Sequence, residues 1–241
     1  MNSNDESVKE LQKVVLELKY PNSMRMVCGE IKGIGFFPGA IGNGISNLTT
    51  SIFKRKIMVL GQDQDNAKGF NNSINEGNEI YSPTWKQMTM LFLKAGIEIS
   101  ECFFTNSIMG IRSQSQKNTG KSPAFDDNVF MQECINILKE QIRLQQPNFI
   151  ICLGLSPLKV LSCLSQEMTH GLVGIESFAV LDQNDKAVFK SIDIAGANIK
   201  VITIVHPSYR HLNIKHRRLP YRNSNDPEVE LLKREIVDKL N

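Results

Sequence analysis

The chain has 241 residues, 41% of them hydrophobic, and a formal net charge of +3. This length and composition fit one large domain spanning residues 1–241, or one domain plus extensions, with an ordinary hydrophobic core. They argue against a membrane-spanning protein, because no apolar run approaches the roughly 18 residues of a membrane helix. The first ten residues are polar and acidic, unlike a signal peptide, so the sequence predicts a cytoplasmic location.

The cysteines argue against a metal or disulfide framework. They are five in number, widely spaced, and contain no Cys-x-x-Cys pair. Zinc and iron–sulfur sites need thiolates at short spacings, so we expect no metal, no cofactor and buried, reduced thiols. The residues are Cys28, Cys102, Cys134, Cys152 and Cys163.

Basic charge is concentrated in residues 209–222. This stretch holds five Lys or Arg residues and no acid, leaving 23 basic and 25 acidic residues elsewhere. Such a cluster suits contacts to nucleic-acid phosphates, although a solvated surface loop explains the charge equally well.

Two features precede the first strand. Apolar residues at helical spacing predict an amphipathic helix over residues 5–19. Residues 28–47 are rich in glycine but too irregular for a dinucleotide fingerprint. They predict a long ordered loop, either a plain connection or a lining of the site.

The run from Lys56 to Asn66 reads as a buried parallel strand that ends in a polar loop. Ligands of open parallel sheets lie beyond the carboxyl ends of the strands, which places Asp63 at the rim of a site. Alternatively, Asp63 and Asp65 cap the next element. The polar stretch 62–78 predicts a loop whose one aromatic, Phe70, either stacks on a ligand or plugs the loop onto the domain.

Two further strands follow the same design. Residues 101–106 form an apolar run that ends at Asn106, and residues 148–154 form a third buried strand. Helices are predicted over residues 82–96, residues 127–146 and from Ser156, whose free amides could bind an anion. Residues 113–127 predict a flexible loop.

The last strand leads to a histidine. Residues 166–199 predict a loop or hairpin, and residues 200–205 a strand that runs into His206, Pro207 and Ser208. The proline stiffens this turn, although a single histidine is often only a core residue. A helix over residues 226–240 ends the chain.

Strands that alternate with helices imply βαβ units and right-handed crossovers. The sequence thus predicts an α/β fold with a mainly parallel sheet covered by helices on both faces. Asp63, Asn106 and His206 then share the carboxyl edge of one sheet, which favours function over capping.

With these residues in place, the sequence resembles the uracil-DNA glycosylase superfamily. Gly61-Gln62-Asp63-Gln64-Asp65 matches its water-activating motif, Phe104-Thr105-Asn106 its base-reading strand, and His206-Pro207-Ser208 its His-Pro-Ser loop. The resemblance covers residues 55–212 and implies a three-layer α/β/α sandwich with a mainly parallel four-stranded central sheet.

The resemblance also implies roles in cleaving the N-glycosidic bond of uracil, or a related damaged base, in DNA. Asp63 would stabilise the sugar cation and activate water, and His206 would donate to uracil O2. Gly61, Gln62, Asn106 and Ser208 would complete the base site, Asn106 reading N3–H and O4. Phe70 would stack on the flipped base.

DNA is the partner that this resemblance implies. The residues expected to contact DNA are Tyr209, Arg210, Lys215, Arg217 and Arg218, the first two as candidates for filling the gap left by a flipped nucleotide.

The sequence departs from the best-known branch at two points. Gln64 and Asp65 replace a Pro and the Tyr that excludes the thymine methyl group, and Arg210 replaces an apolar wedge. Two alternatives therefore stay open: a catalytically weak member that binds nucleic acid or protein, and a flavodoxin-like nucleotide-binding hydrolase that uses the glycine-rich loop and the Ser156 helix start.

Overall fold

The structure is a computed structural model that describes residues 3–27, 29, 31, 35–40, 56–113, 120–221 and 224–240. Most of the glycine-rich stretch 28–47, with Cys28, and residues 114–119 of the predicted flexible loop lie outside these residues. The strands are β1 (Met24–Arg25), β2 (Ile57–Gly61), β3 (Cys102–Asn106), β4 (Ile111–Arg112), β5 (Phe149–Leu153), β6 (Val188–Ile194) and β7 (Ala197–Ile204).

The main sheet has the order β3-β2-β5-β7-β6. Its first four strands are parallel, and β6 pairs antiparallel with β7 at one edge. The predicted four parallel strands are confirmed, and the stretch predicted as a loop or hairpin contributes the fifth. The small strands β1 and β4 form a separate antiparallel pair.

The α-helices, in chain order, are α1 (Ser3–Leu16), α2 (Ala67–Glu76), α3 (Asn78–Tyr81), α4 (Pro83–Ala95), α5 (Asn128–Gln145), α6 (Leu155–Ser162), α7 (Gln166–Gly171), α8 (Phe178–Gln183), α9 (Arg210–Asn213), α10 (Pro227–Leu232) and α11 (Asp238–Leu240). A π-helical segment, Lys233–Val237, joins α10 to α11.

Helices cover the sheet and give the three-layer α/β/α fold that the sequence predicts. One group contains α5, which packs against α1 and α6, and another contains α4, which packs against α10. Strands β2, β3 and β5 are buried along their whole length, as their unbroken apolar runs predict for strands covered on both faces.

Local capping sets the bounds of α4. The Ser82 side chain accepts from the amide of Trp85, Pro83 occupies the first turn, and Gly96 ends the helix in a left-handed conformation. Each of these signals is visible in the sequence, which is why the predicted helix over residues 82–96 agrees with the structure.

The polar loop predicted over residues 62–78 is wrong in part, because α2 occupies most of it. The Asn66 side chain caps this helix by accepting from the amide of Gly69. Ala67, Phe70 and Ile74 pack one face of α2 onto a small apolar cluster. Three apolar residues among many Asn and Gly residues were too sparse to predict a helix.

The reduced-thiol prediction holds in part for the described cysteines. All four are free; Cys102, Cys134 and Cys152 are buried, whereas Cys163 is exposed. Burial in the core raises the pKa of the Cys134 thiol to about 12. Among the described residues, no helix is long and apolar enough to cross a membrane.

A buried ionic cluster fastens the segment after β7 to the rest of the domain. Arg217 donates two hydrogen bonds of 2.9 Å to the Asp182 carboxylate and one of 2.5 Å to Glu228. All three side chains are at most 1% exposed. Glu228 also accepts from the amide of Val205 at 2.7 Å, directly before His206. The cluster thus holds both ends of the turn that carries His206.

Arg217→Met should therefore destabilise the fold, because it leaves two buried carboxylates without their shared cation. We expect a loss of about 3–5 kcal/mol in the free energy of unfolding, measured by urea titration. Arg218→Met is the matched control, since Arg218 is exposed and should change stability by no more than about 0.5 kcal/mol. Equal unfolding midpoints for the two variants would contradict a structural role of Arg217.

Candidate functional site

A cavity of about 670 Å³ opens at the carboxyl edge of the sheet. It lies where β2, β3, β5 and β7 end, and β2 and β3 are in register, so that Gly61 pairs with Asn106. The chain moves from β2 to β3 on one side and later to β5 on the other, so the cavity lies at a topological switch point. Asp63, Asn106 and His206, which are far apart in sequence, all line it.

Asp63 forms an ion pair that the sequence did not predict. Its Oδ2 accepts from Nε of Arg112 at 2.7 Å, and the two side chains are 7% and 3% exposed. Arg112 also donates from Nη2 to the carbonyl of Gly120 at 3.0 Å. Arg112 follows Asn106 by six residues in a short apolar run, and this spacing gives no signal of a partner in the first motif.

Backbone hydrogen bonds join the loop after β2 to the loop after β3. The amides of Ser107, Ile108 and Arg112 donate to the first loop, and the amide of Gln64 donates back to Gly110 at 3.3 Å. The Arg112 amide bonds the Asp65 carbonyl at 2.8 Å. The position of Arg112 relative to Asp63 is therefore fixed by main chain as well as by the ion pair.

Asn106 presents a buried amide to the cavity. The residue is 2% exposed, and its Nδ2 finds no hydrogen-bond partner among the described residues. An unpartnered buried donor is costly, unless a ligand supplies the acceptor. Gly61 makes room for this side chain, since a Cβ at that position would lie 2.3 Å from Asn106 Oδ1.

Two phenylalanines line the cavity. Phe70 is 2% exposed and packs with Val27, Ile31 and Ile111, so it fastens α2 to the domain as the hydrophobic plug. Phe36 lies beside Gly61 and Asn106, since a Cβ on Gly61 would lie 3.3 Å from the Phe36 ring and 2.3 Å from Asn106 Oδ1. Phe36 was missed as a site residue, and the aromatic pair inside the glycine-rich stretch was its one signal in the sequence.

His206 is hydrogen-bonded to a hydroxyl group, which is in turn hydrogen-bonded to a second one. Its Nδ1 lies 2.9 Å from Oγ of Ser208, which lies 3.0 Å from Oγ1 of Thr84 in the first turn of α4. These hydrogen bonds therefore link the turn after β7 to a helix on another part of the sheet. Thr84 had no distinguishing signal in the sequence.

Burial sets the protonation state of His206. Desolvation lowers its pKa to about 4, and the nearby charge of Asp63 opposes this shift only in part. The imidazole is therefore neutral at pH 7, with one ring nitrogen protonated and the other free to accept.

The remaining residues of the first motif support the loop. Gln64 is 8% exposed and donates from Nε2 to the Phe36 carbonyl at 2.7 Å. Gln62 lines the cavity and donates to the Gly120 carbonyl at 3.1 Å. Asp65 has a φ of +72°, and burial raises the pKa of its carboxyl group, opposed by the Asn66 amide. Its carboxylate accepts from that amide at 2.6 Å.

The basic segment divides into inward and outward side chains. The prediction that Arg217 contacts phosphate is wrong, because its guanidinium is buried in the ionic cluster. Arg210 is 18% exposed and pairs with Asp226 and Glu228, so its charge is already balanced. Lys215 and Arg218 are exposed, and Tyr209 lies at the cavity rim, 37% exposed, with its ring centroid 5.8 Å from that of His206.

We find no group of three or more His, Cys, Asp or Glu side chains that could hold a metal ion within the described ranges. The polar groups that line the cavity include the carboxylate of Asp63 in an ion pair, the neutral imidazole of His206 and the amide of Asn106. Such a set is suited to binding an uncharged, planar ligand and to stabilising charge that develops on it.

The pKa of His206 predicts how stability depends on pH. Between pH 6.5 and about 4 the unfolded state binds the extra proton, so lowering the pH through this window destabilises the folded protein. His206→Gln removes this contribution and should reduce the loss between pH 7 and pH 4.5 by on the order of 2 kcal/mol. The measurement is urea unfolding at both pH values.

Exposed His170 provides the control for this measurement. His170→Gln should show the same loss of stability as the wild type. If His206→Gln loses as much stability on acidification as His170→Gln, the imidazole of His206 is not kept neutral by burial.

Comparison with known proteins agrees with this geometry. The family model of the uracil DNA glycosylase superfamily matches residues 50–228, well over half of the chain and all the strands of the main sheet. No individually curated protein matches the chain. The match includes Asp63, Asn106 and His206 in their strand contexts, and the chain belongs to the uracil DNA glycosylase superfamily.

Proposed function

We propose that the protein is a DNA glycosylase that hydrolyses the N-glycosidic bond of uracil, or of a related damaged base, in base excision repair. The observation that carries the proposal is the unpartnered, buried Nδ2 of Asn106 in a cavity that Asp63 and His206 also line. A buried donor without an acceptor is a site prepared for a polar ligand. Family membership supports the reaction class.

Asn106 selects the base. Its amide can accept from N3–H of uracil through Oδ1 and donate to O4 through Nδ2. Cytosine has an acceptor at N3 and a donor at N4. The acceptor Oδ1 would then face an acceptor and the donor Nδ2 a donor, so neither hydrogen bond could form. The aromatic rings of Phe36 and Phe70 supply the apolar wall for the base, which must leave the duplex to reach this depth.

Bond cleavage places positive charge on the sugar and negative charge on the departing base. His206 serves the base: we assign the tautomer in which Nδ1 accepts from Ser208, which leaves the imidazole proton on Nε2, where it can bond to O2. Thr84 is the hydrogen-bond partner of Ser208. A neutral donor of this kind becomes more strongly bound as the oxygen gains charge, which favours the transition state over the substrate.

Asp63 serves the sugar and the water. Its carboxylate stabilises the cation that develops at C1′ and orients the water that attacks there. The bond between C1′ and N1 of the base breaks, and the base leaves as an anion with the electron pair. The water oxygen forms the new bond to C1′ and gives up one proton to the Asp63 carboxylate, so that the sugar is left with a hydroxyl group.

DNA contacts come from the outward part of the basic segment. Lys215 and Arg218 are the residues that we propose for the phosphates, since Arg210 and Arg217 face carboxylates. Tyr209, at the rim beside His206, is placed to fill the gap left by the flipped nucleotide. The free thiols suit a reducing compartment, and we propose the cytoplasm as the location.

The alternative of a catalytically weak member that binds nucleic acid or protein makes a different prediction for Asp63. If Asp63 is needed for chemistry, Asp63→Asn should lower uracil release by about 10²-fold or more, since one electrostatic contact of this kind contributes that much. The substrate is uracil-containing oligonucleotide, single- and double-stranded, and abasic sites are scored by strand cleavage in alkali.

Asp126→Asn provides a matched control, because this carboxylate forms an exposed pair with Lys121. It should keep wild-type activity. If the folded wild-type protein releases neither uracil nor a related damaged base, the enzymatic proposal is rejected, and retained DNA binding would then favour the binding alternative. The flavodoxin-like alternative loses its support through the family match.

Salt dependence tests the phosphate contacts. Replacing both Lys215 and Arg218 by Gln should reduce the slope of log K against log salt concentration by about 0.9 for each duplex phosphate that the variant no longer neutralises. Replacing the exposed residues Lys94 and Lys139 on α4 and α5 is the control, and their slope should match that of the wild type. An unchanged slope for the Lys215 and Arg218 variant would place the phosphates on another surface.

A further inference from the structure

We propose that Arg112 is a positioning residue, which holds one carboxylate oxygen of Asp63 and leaves the other to bind the attacking water. Nε of Arg112 holds Oδ2 at 2.7 Å, and Oδ1 makes no hydrogen bond with the described residues. Since Asp63 lines the cavity, Oδ1 is the oxygen left for the attacking water. This inference rests on the proposed function and assigns one more residue to it.

The arrangement of Arg112 does not depend on Asp63 alone. Its main chain belongs to β4, which pairs with β1, and its amide bonds the carbonyl of Asp65. Its Nη2 bonds the Gly120 carbonyl. The main chain of Arg112 is fixed by these backbone bonds, and its guanidinium is fixed by Gly120. It can therefore hold in one orientation a carboxylate that would otherwise rotate about its Cβ–Cγ bond.

The charge of Arg112 has two opposing effects on the reaction. It offsets part of the attraction between Asp63 and the sugar cation, which would slow cleavage. It also fixes the orientation of the carboxylate, which speeds cleavage, and a misplaced reacting group can cost about 10²-fold in rate. Because Nε of Arg112 contacts Oδ2 and not Oδ1, the oxygen left for the water, we infer that positioning dominates.

Arg112→Met tests this inference, with kcat and KM measured on a uracil-containing single-stranded oligonucleotide. We expect kcat to fall about 10- to 100-fold while KM changes little, because bound substrate is unaffected and the water is misplaced. Arg112→Lys keeps the positive charge but lacks the planar guanidinium group, and it should retain more activity than Arg112→Met.

The split between kcat and KM provides the second readout, together with the partial recovery in Arg112→Lys. A merely structural arginine would raise KM as well as lower kcat when it is replaced, because the cavity itself would change. A positioning arginine changes kcat while the bound substrate is held as before.

Arg25→Met is the matched control, since Arg25 is an exposed arginine on β1, the partner strand of β4. It should keep the wild-type kcat and KM, and urea unfolding verifies that every variant is folded. If the wild type is active and Arg112→Met retains its kcat, or if KM rises as kcat falls and Arg112→Lys recovers nothing, this inference is wrong and the proposed function stands. If the wild type releases neither uracil nor a related damaged base, the proposed function fails and takes the inference with it.

Discussion

The parallel pairing of β2 with both neighbours is the constraint on which the site depends. Since all four parallel strands point the same way, their carboxyl ends meet at one edge, and the register that pairs Gly61 with Asn106 sets these residues side by side. A shift of one residue would turn the Asn106 side chain to the opposite face of the sheet. The lack of a Cβ at Gly61 completes the arrangement, because any larger residue would occupy the space of the Asn106 amide.

Buried ionic interactions occur both in the core and at the cavity. Arg217 neutralises Asp182 and Glu228 in the interior, and Arg112 neutralises Asp63 at the cavity. Removing one partner from such a pair leaves a buried charge and costs far more than breaking an exposed pair. The ionic cluster in the interior stabilises the turn that carries His206, whereas the ion pair at the cavity orients the carboxylate that we propose for catalysis. Similar chemistry thus serves stability in one place and function in the other.

The environment of His206 shows how the fold selects one protonation state. Burial keeps the imidazole neutral, although Asp63 alone would favour the cation. The hydroxyl groups of Ser208 and Thr84 then give the neutral ring a defined partner at Nδ1. In the function that we propose, the neutral ring carries its proton on Nε2 and donates a hydrogen bond to the departing base. Solvent exclusion and hydrogen bonding therefore contribute different parts of the same function.

Local patterns in the sequence were enough for the four parallel strands, for α4 and α5, and for the shared edge of Asp63, Asn106 and His206, but not for β1, β4 and β6. Unbroken apolar runs, the Ser82 cap and Gly96 report on neighbours within a few residues, and parallel strands have few possible arrangements. Helix α2 was missed because its three apolar residues pack on a cluster assembled from distant segments.

Side-chain partners were beyond the sequence for the same reason. The basic segment 209–222 has one composition, yet Arg217 points inward and Arg218 outward, since Asp182 and Glu228 come together only when the chain folds. Arg112 likewise meets Asp63 because the loops after β2 and β3 are hydrogen-bonded along their length. Residue type and spacing determined which groups reach the edge of the sheet. Contacts between segments far apart in the chain decided which charges are paired, which are exposed, and which oxygen of Asp63 Arg112 holds.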